Sequence, residues 1–190
     1  IDPPTADVTG RVIALLSLAD KDKYATTISD AIKFLKTDQE DDGSWFGRWG
    51  TNYIYGTWSV LTALELTEED PQQEYIRKAV KYLQEIQNED GGWGESNDSY
   101  YPPRHYRPYQ STAFQTAWAL LSLLAAGEAD TDTVKRGINY LIANQSADGH
   151  WSDDSYTAPG FPRVFYLKYH GYTKYFPLWA LARYRNLIKS

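Results

Sequence analysis

Residues 42–58, DGSWFGRWGTNYIYGTW, gather Trp45, Trp49, Trp58, Tyr53 and Tyr55 around glycines that mark a loop. Such rings serve one of two ends. They are apolar bulk for a core, or they present π-faces to a cavity, where the ring quadrupole attracts a positive centre. Aromatics make up 15% of the 190 residues, with 16 Tyr and 7 Trp carrying the excess, so the question concerns the whole chain.

Other reactive groups are sparse. Asp7 and Arg11 stand four apart at a helix start and share a face, a spacing that a simple ion pair explains as well as a functional one. His105, His150 and His170 lack ligand spacing and read as surface or loop residues. With no Cys in the chain, disulfides, thiolate metal sites and a Cys nucleophile are excluded, and no metal site is expected. The acidic runs DTDT (130–133), QEDD (39–42) and SDDS (152–155) read as solvated turns. A net charge of −6 argues against nucleic acid as a partner. No N-terminal run resembles a signal peptide, and the apolar stretch Thr116–Gly127 is too short to cross a bilayer. The absence of Met, even at position 1, reads as a chain that begins inside a longer frame or is a processed or engineered piece.

What must position the rings is a repeat. AIKFLKTDQEDDGSW (31–45), AVKYLQEIQNEDGGW (79–93) and GINYLIANQSADGHW (137–151) align without a gap, the units recurring after 48 and then 58 residues. Each has a small residue, an aromatic–Leu pair, a Gln, and then Asp-Gly and Trp. Gln39, Gln87 and Gln145 each precede Trp45, Trp93 and Trp151 by six residues. A feature recurring in every unit reads as structural. The Gln is expected to bond the end of the helix it follows, the Trp to staple one hairpin to the next, and the Asp-Gly to cap the helix with a left-handed glycine.

Helical apolar spacing precedes each Gln: Ile76, Val80, Leu83 and Ile86 form one stripe, and Val134, Ile138, Leu141 and Ile142 another. The stretch 111–127 is apolar nearly all round, which predicts burial on both sides. About seven helices follow, over 7–19, 25–37, 56–67, 72–87, 112–126, 131–144 and 174–188. The fold class is all-α: one domain over 1–190, an incomplete arc of an α/α barrel (toroid) in which inner and outer helices alternate.

The repeated units resemble the QW motifs of the triterpene cyclases. Residues 42–58, GFPRVFYLKYHGYTKYFPLWALARYRN (160–186), DPPTADVTGRV (2–12) and QTAWALL (115–121) resemble the bacterial squalene–hopene cyclases, in order and over essentially the whole chain. The resemblance implies the C-terminal third or so of the catalytic domain, with the protonating D-x-D-D motif and a second α-barrel domain lying outside these residues. It implies proton-initiated cyclisation of squalene or a similar apolar polyene, an isomerase reaction without cofactor in which ring faces shelter a travelling cation. By the same resemblance, Trp49 and Tyr55 line the cavity near the first-formed rings, Phe161 and Phe165 steady later cations, and Tyr169 and Tyr172 border the initiation end. Trp49, Tyr55, Phe161 and Phe165 are expected to border one dry hollow, while Tyr53, Trp58, Trp118, Trp179 and Tyr184 are left to the core. Asp7 would support the acid, with Arg11 where several members carry His; a guanidinium stays charged and cannot pass protons as imidazole does.

The partners implied are the upstream part of the cyclase and a membrane surface, with the enzyme peripheral (monotopic) on the cytoplasmic side. Alone, the 190 residues are expected not to turn over squalene, because the acid is absent. Two other readings stand beside this one: a non-catalytic helical-repeat scaffold that binds apolar ligands, and a class II terpene cyclase with another substrate.

Overall fold

A computed structural model describes residues 3–189. Seven α-helices carry the chain: α1 (Ala6–Asp20), α2 (Ala25–Thr37), α3 (Tyr53–Leu66), α4 (Glu74–Glu85), α5 (Ala113–Ala125), α6 (Asp132–Ala143) and α7 (Tyr172–Leu187). They match the seven predicted from apolar spacing. A short antiparallel hairpin, β1 (Ala158–Phe161) and β2 (Phe165–Leu167), lies between α6 and α7, outside the helices expected from the sequence.

The helices α1, α3, α5 and α7 pack side by side in that order, and α2, α4 and α6 lie behind them. Every residue of α5 from Ala113 to Leu124 is buried, as its unbroken apolar character requires for a helix covered on several sides. By contrast α4 buries only one stripe, including Tyr75, Ile76, Ala79, Val80 and Leu83, and leaves its charged face to water. In α6, Val134, Ile138 and Leu141 are buried, but Ile142 is exposed, since it lies one residue round the helix from Leu141. The inner helices approach closely. A Cβ at Gly10 of α1 would meet the Ser59 carbonyl oxygen of α3 at 2.7 Å, so only glycine fits.

The repeated units staple this arrangement as expected of the tryptophan: the Trp45 ring meets Tyr75 of α4 edge-on at 6.5 Å, and the Trp93 ring lies against Gly137 of α6. The bond to the preceding helix end is made differently. The tryptophan, not the glutamine, bonds the helix it follows: the indole N–H groups of Trp45, Trp93 and Trp151 donate to the carbonyls of Leu35, Leu83 and Leu141, each at 2.8 Å. The glutamine instead closes its own turn and reaches forward. Gln39 Nε2 donates to the Gly43 and Tyr75 carbonyls, both at 2.8 Å, and Gln87 Nε2 to Gly91 at 2.8 Å and Thr133 at 2.9 Å. Tyr75 and Thr133 sit in the first turns of the next outer helices, α4 and α6. Among the described residues Gln145 Nε2 donates to Gly149 alone, at 2.9 Å.

The glycines of Asp-Gly are left-handed, with φ of 94°, 87° and 82° at Gly43, Gly91 and Gly149. They close turns back to Glu40, Asn88 and Ser146 rather than capping the helices, which end several residues earlier.

Candidate active site

The N-terminal halves of the inner helices bring a continuous set of rings together. Tyr55 and Trp58 come from α3, Phe114 and Trp118 from α5, and Tyr172, Phe176 and Trp179 from α7. Spacings of three and four residues put each set on one helix face. Trp118 is the hub. Its ring centroid lies 5.1 Å from Tyr55, 5.2 Å from Phe114, 5.6 Å from Tyr172 and 5.4 Å from Phe176. Tyr169 joins through Tyr172 at 5.1 Å. Trp58 and Trp118 are buried, as expected of core; Trp179 is 46% exposed, because it faces the open cleft between α1, α3 and α7.

Asp7 and Arg11 do not pair with each other. The Asp7 carboxylate is buried and accepts from the Thr5 hydroxyl at 2.5 Å and from the Val8 and Trp49 backbone N–H groups at 2.9 Å. It thereby ties the loop bearing Trp49 to the start of α1. Arg11 donates to the Tyr55 hydroxyl at 2.7 Å and lies over the Tyr55 and Trp58 rings, 5.3 and 5.0 Å from their centroids. Burial pushes the Tyr55 phenol above its ordinary range, against the opposing pull of Arg11, so the ring stays neutral.

The four rings expected to share one hollow do not share it within this chain. Tyr55 is buried in the cluster; Trp49 lines a cleft of about 440 Å³ with Val8, Val12 and Ile13. Phe161 and Phe165 pair at 5.9 Å on the hairpin but are 56% and 45% exposed. Phe161 borders a second cleft of about 490 Å³, which shares Pro3, Thr5 and Arg48 with the first. Tyr169 and Tyr172 line a third, of about 390 Å³, beside Trp151 and Lys168. The physical reason is the arc itself, which leaves the inner faces open on one side. His105, His150 and His170 are exposed, and no cluster of three acidic or His side chains that could hold a metal occurs among the described residues.

Sequence reasoning missed Glu95. It is buried, and its Oε2 accepts from the N–H groups of Asn52 and Ile54 at 3.0 Å while Oε1 accepts from Tyr53 at 3.2 Å. These are the unpaired donors at the start of α3. Burial pushes the carboxyl from an ordinary 4.5 up to about 7, against the pull of these amides and Ser99. One signal was present: Glu95 follows the second repeated Trp by two residues, where the first repeat has Gly47 and the third Asp153.

Residues 1–186 match the model of the squalene-hopene cyclase C-terminal domain. The chain belongs to that family. It is 55% identical to the squalene–hopene cyclase of Zymomonas mobilis over 100% of its own length and 29% of that relative's. The squalene–hopene cyclase of Bradyrhizobium diazoefficiens is 54% identical over 98% of the chain and 29% of its own length. The chain therefore spans less than a third of these cyclases. Among solved structures, a variant of the type II terpene cyclase MstE from Scytonema, in complex with its substrate geranylgeranyl dihydroxybenzoate, superposes with a TM-score of 0.67. That match covers 96% of this chain and 54% of the other at 20% identity, and it speaks for the cyclase fold alone.

Proposed function

We propose that residues 1–190 form the C-terminal part of the catalytic α/α barrel of a squalene–hopene cyclase, an isomerase that converts squalene to hopanoid triterpenes. The carrying observation is the family match over residues 1–186, supported by a cluster of rings at the mouth of the inner helices. A hydrocarbon substrate offers no polar handle, so the site must shape it by apolar contact and meet its developing charge with electron-rich faces. Tyr55 and Tyr172, joined through Trp118, supply such faces near the first closures, with Tyr169 beside them. Trp49, Phe161 and Phe165 serve the same cation once the upstream part of the enzyme closes the open side of the arc.

Asp7 and Arg11 act here by holding neighbours. Asp7 sets the Trp49 loop, and Arg11 holds the Tyr55 hydroxyl while its charge lies over the Tyr55 and Trp58 rings. The initiating proton comes from the D-x-D-D motif that the resemblance places upstream. In the complete enzyme, attachment to the cytoplasmic face of the membrane would give access to a substrate dissolved in lipid.

The test is conversion. The complete enzyme incubated with squalene yields hopanoid products, and the 190-residue chain alone yields none. Product from the isolated chain would overturn the assignment of the acid to the upstream part, and no product from the complete enzyme would overturn the function.

A further inference from the structure

The start of α3 is capped from a distance. Its own cap residue, Asn52, spends its side chain elsewhere, accepting from the Gly47 N–H at 3.1 Å and donating to the Ser99 hydroxyl at 3.1 Å. The three helix-start amides are met instead by Glu95, on a segment more than forty residues later in the chain. A local Ser or Thr would cap the helix without burying a carboxylate among tyrosines, which is costly in free energy. What the distant acid adds is a fixed relation between two segments.

Glu95 is itself held. Its backbone N–H donates to Gln115 Oε1 at 3.1 Å, and Gln115 Nε2 returns bonds to the Glu95 carbonyl at 3.1 Å and the Thr51 carbonyl at 3.3 Å. The Tyr100 hydroxyl donates to the carbonyls of Gly47 and Gly50 at 2.7 and 2.8 Å. The anchored turn ends at Ile54, immediately before Tyr55, whose ring sits 5.1 Å from Trp118 and whose hydroxyl meets Arg11.

We propose that Glu95 is a positioning residue for the cyclisation cavity: its carboxylate, bonded to the Asn52, Tyr53 and Ile54 amides, fixes the first turn of α3 and with it the Tyr55 ring. Through Asn52 and Gly47 the same anchor sets the loop that carries Trp49. The proposal rests on the cyclase reading for its effect on products, while the anchoring itself can be measured without substrate.

The experiment compares the complete cyclase with its Glu95→Gln variant, using Glu85→Gln on the exposed face of α4 as a control. Glutamine keeps the shape of the side chain but turns an amide donor toward one of the backbone donors. Hydrogen exchange at residues 52–54 is expected to quicken by about tenfold in Glu95→Gln, with the rest of the chain unchanged. Turnover of squalene is expected to fall by roughly tenfold to a hundredfold at unchanged KM, because ring placement and not binding is disturbed. Products released after the first ring closures should rise at the expense of the fully cyclised ones, and the control should do none of this.

Unchanged exchange at 52–54, an unchanged product ratio, or a Glu95→Gln protein that cannot fold would each overturn the proposal, the last in favour of a purely structural carboxylate. Should the unaltered enzyme not convert squalene, the function proposed above fails, and the exchange measurement alone decides whether Glu95 is the anchor.

Discussion

Tyr55 is the point where packing and the proposed chemistry meet, and its two parts can be separated. Tyr55→Phe keeps the ring but removes the acceptor of Arg11. The expected loss of stability is about 1 kcal/mol, read from the urea midpoint of the complete cyclase. Tyr55→Ala removes the ring from contact with Trp58 and Trp118 and should cost about 3–5 kcal/mol by the same measurement. Glu95 makes a prediction of a different kind. Because burial among Tyr53, Tyr82, Tyr100 and Tyr106 raises its carboxyl from 4.5 to about 7, the folded state holds the proton more tightly than the unfolded chain. That contribution to stability is present below pH 4.5 and is lost as pH rises through about 7. Thermal midpoints taken from pH 4.5 to 7.5 should therefore lose part of their slope in Glu95→Gln, and an identical slope would contradict the assignment. Sequence named the ring at 55 through its matched context. It could not name Glu95, since the amides that give this acid its role lie in another repeat and meet it only when the chain folds.

The helices were legible because apolar side chains at three- and four-residue spacing commit a segment to one buried face, and α5, apolar all round, to several. The hairpin over 158–167 was not, because Pro159, Gly160 and Pro162 mask a strand pattern as short as this one. In the repeated units the spacing told that Gln and Trp belong together but not which reaches which carbonyl; that depends on side-chain length and direction. The difference can be measured. Gln87 links its turn to α6, whereas Gln145, among the described residues, bonds only its own turn, so Gln87→Ala should destabilise by about 1–2 kcal/mol more than Gln145→Ala in matched unfolding curves. Gly10→Ala should also destabilise, by about 1–3 kcal/mol. The added methyl group meets the Ser59 carbonyl and overrides the better helix propensity of alanine.

The arc exposes apolar surface at both ends: Val12, Leu15 and Leu18 on α1, and Tyr175, Leu178 and Trp179 on α7. Faces of this kind need a cover. The isolated 190-residue chain should therefore self-associate in light scattering, and co-expression with the upstream part of the cyclase should suppress this and restore squalene conversion. A polar network between the loops has a consequence for altering the proposed enzyme. Thr51 bonds Thr157 and Asn97, Asn97 bonds Tyr156, and Gln115 bonds Thr51 and Glu95, so three loops and the start of α5 form one keyed assembly. A loop borrowed singly from a sister cyclase would arrive with its counterpart left behind. Exchange of product type by grafting should succeed only when all the interlocked pieces travel together.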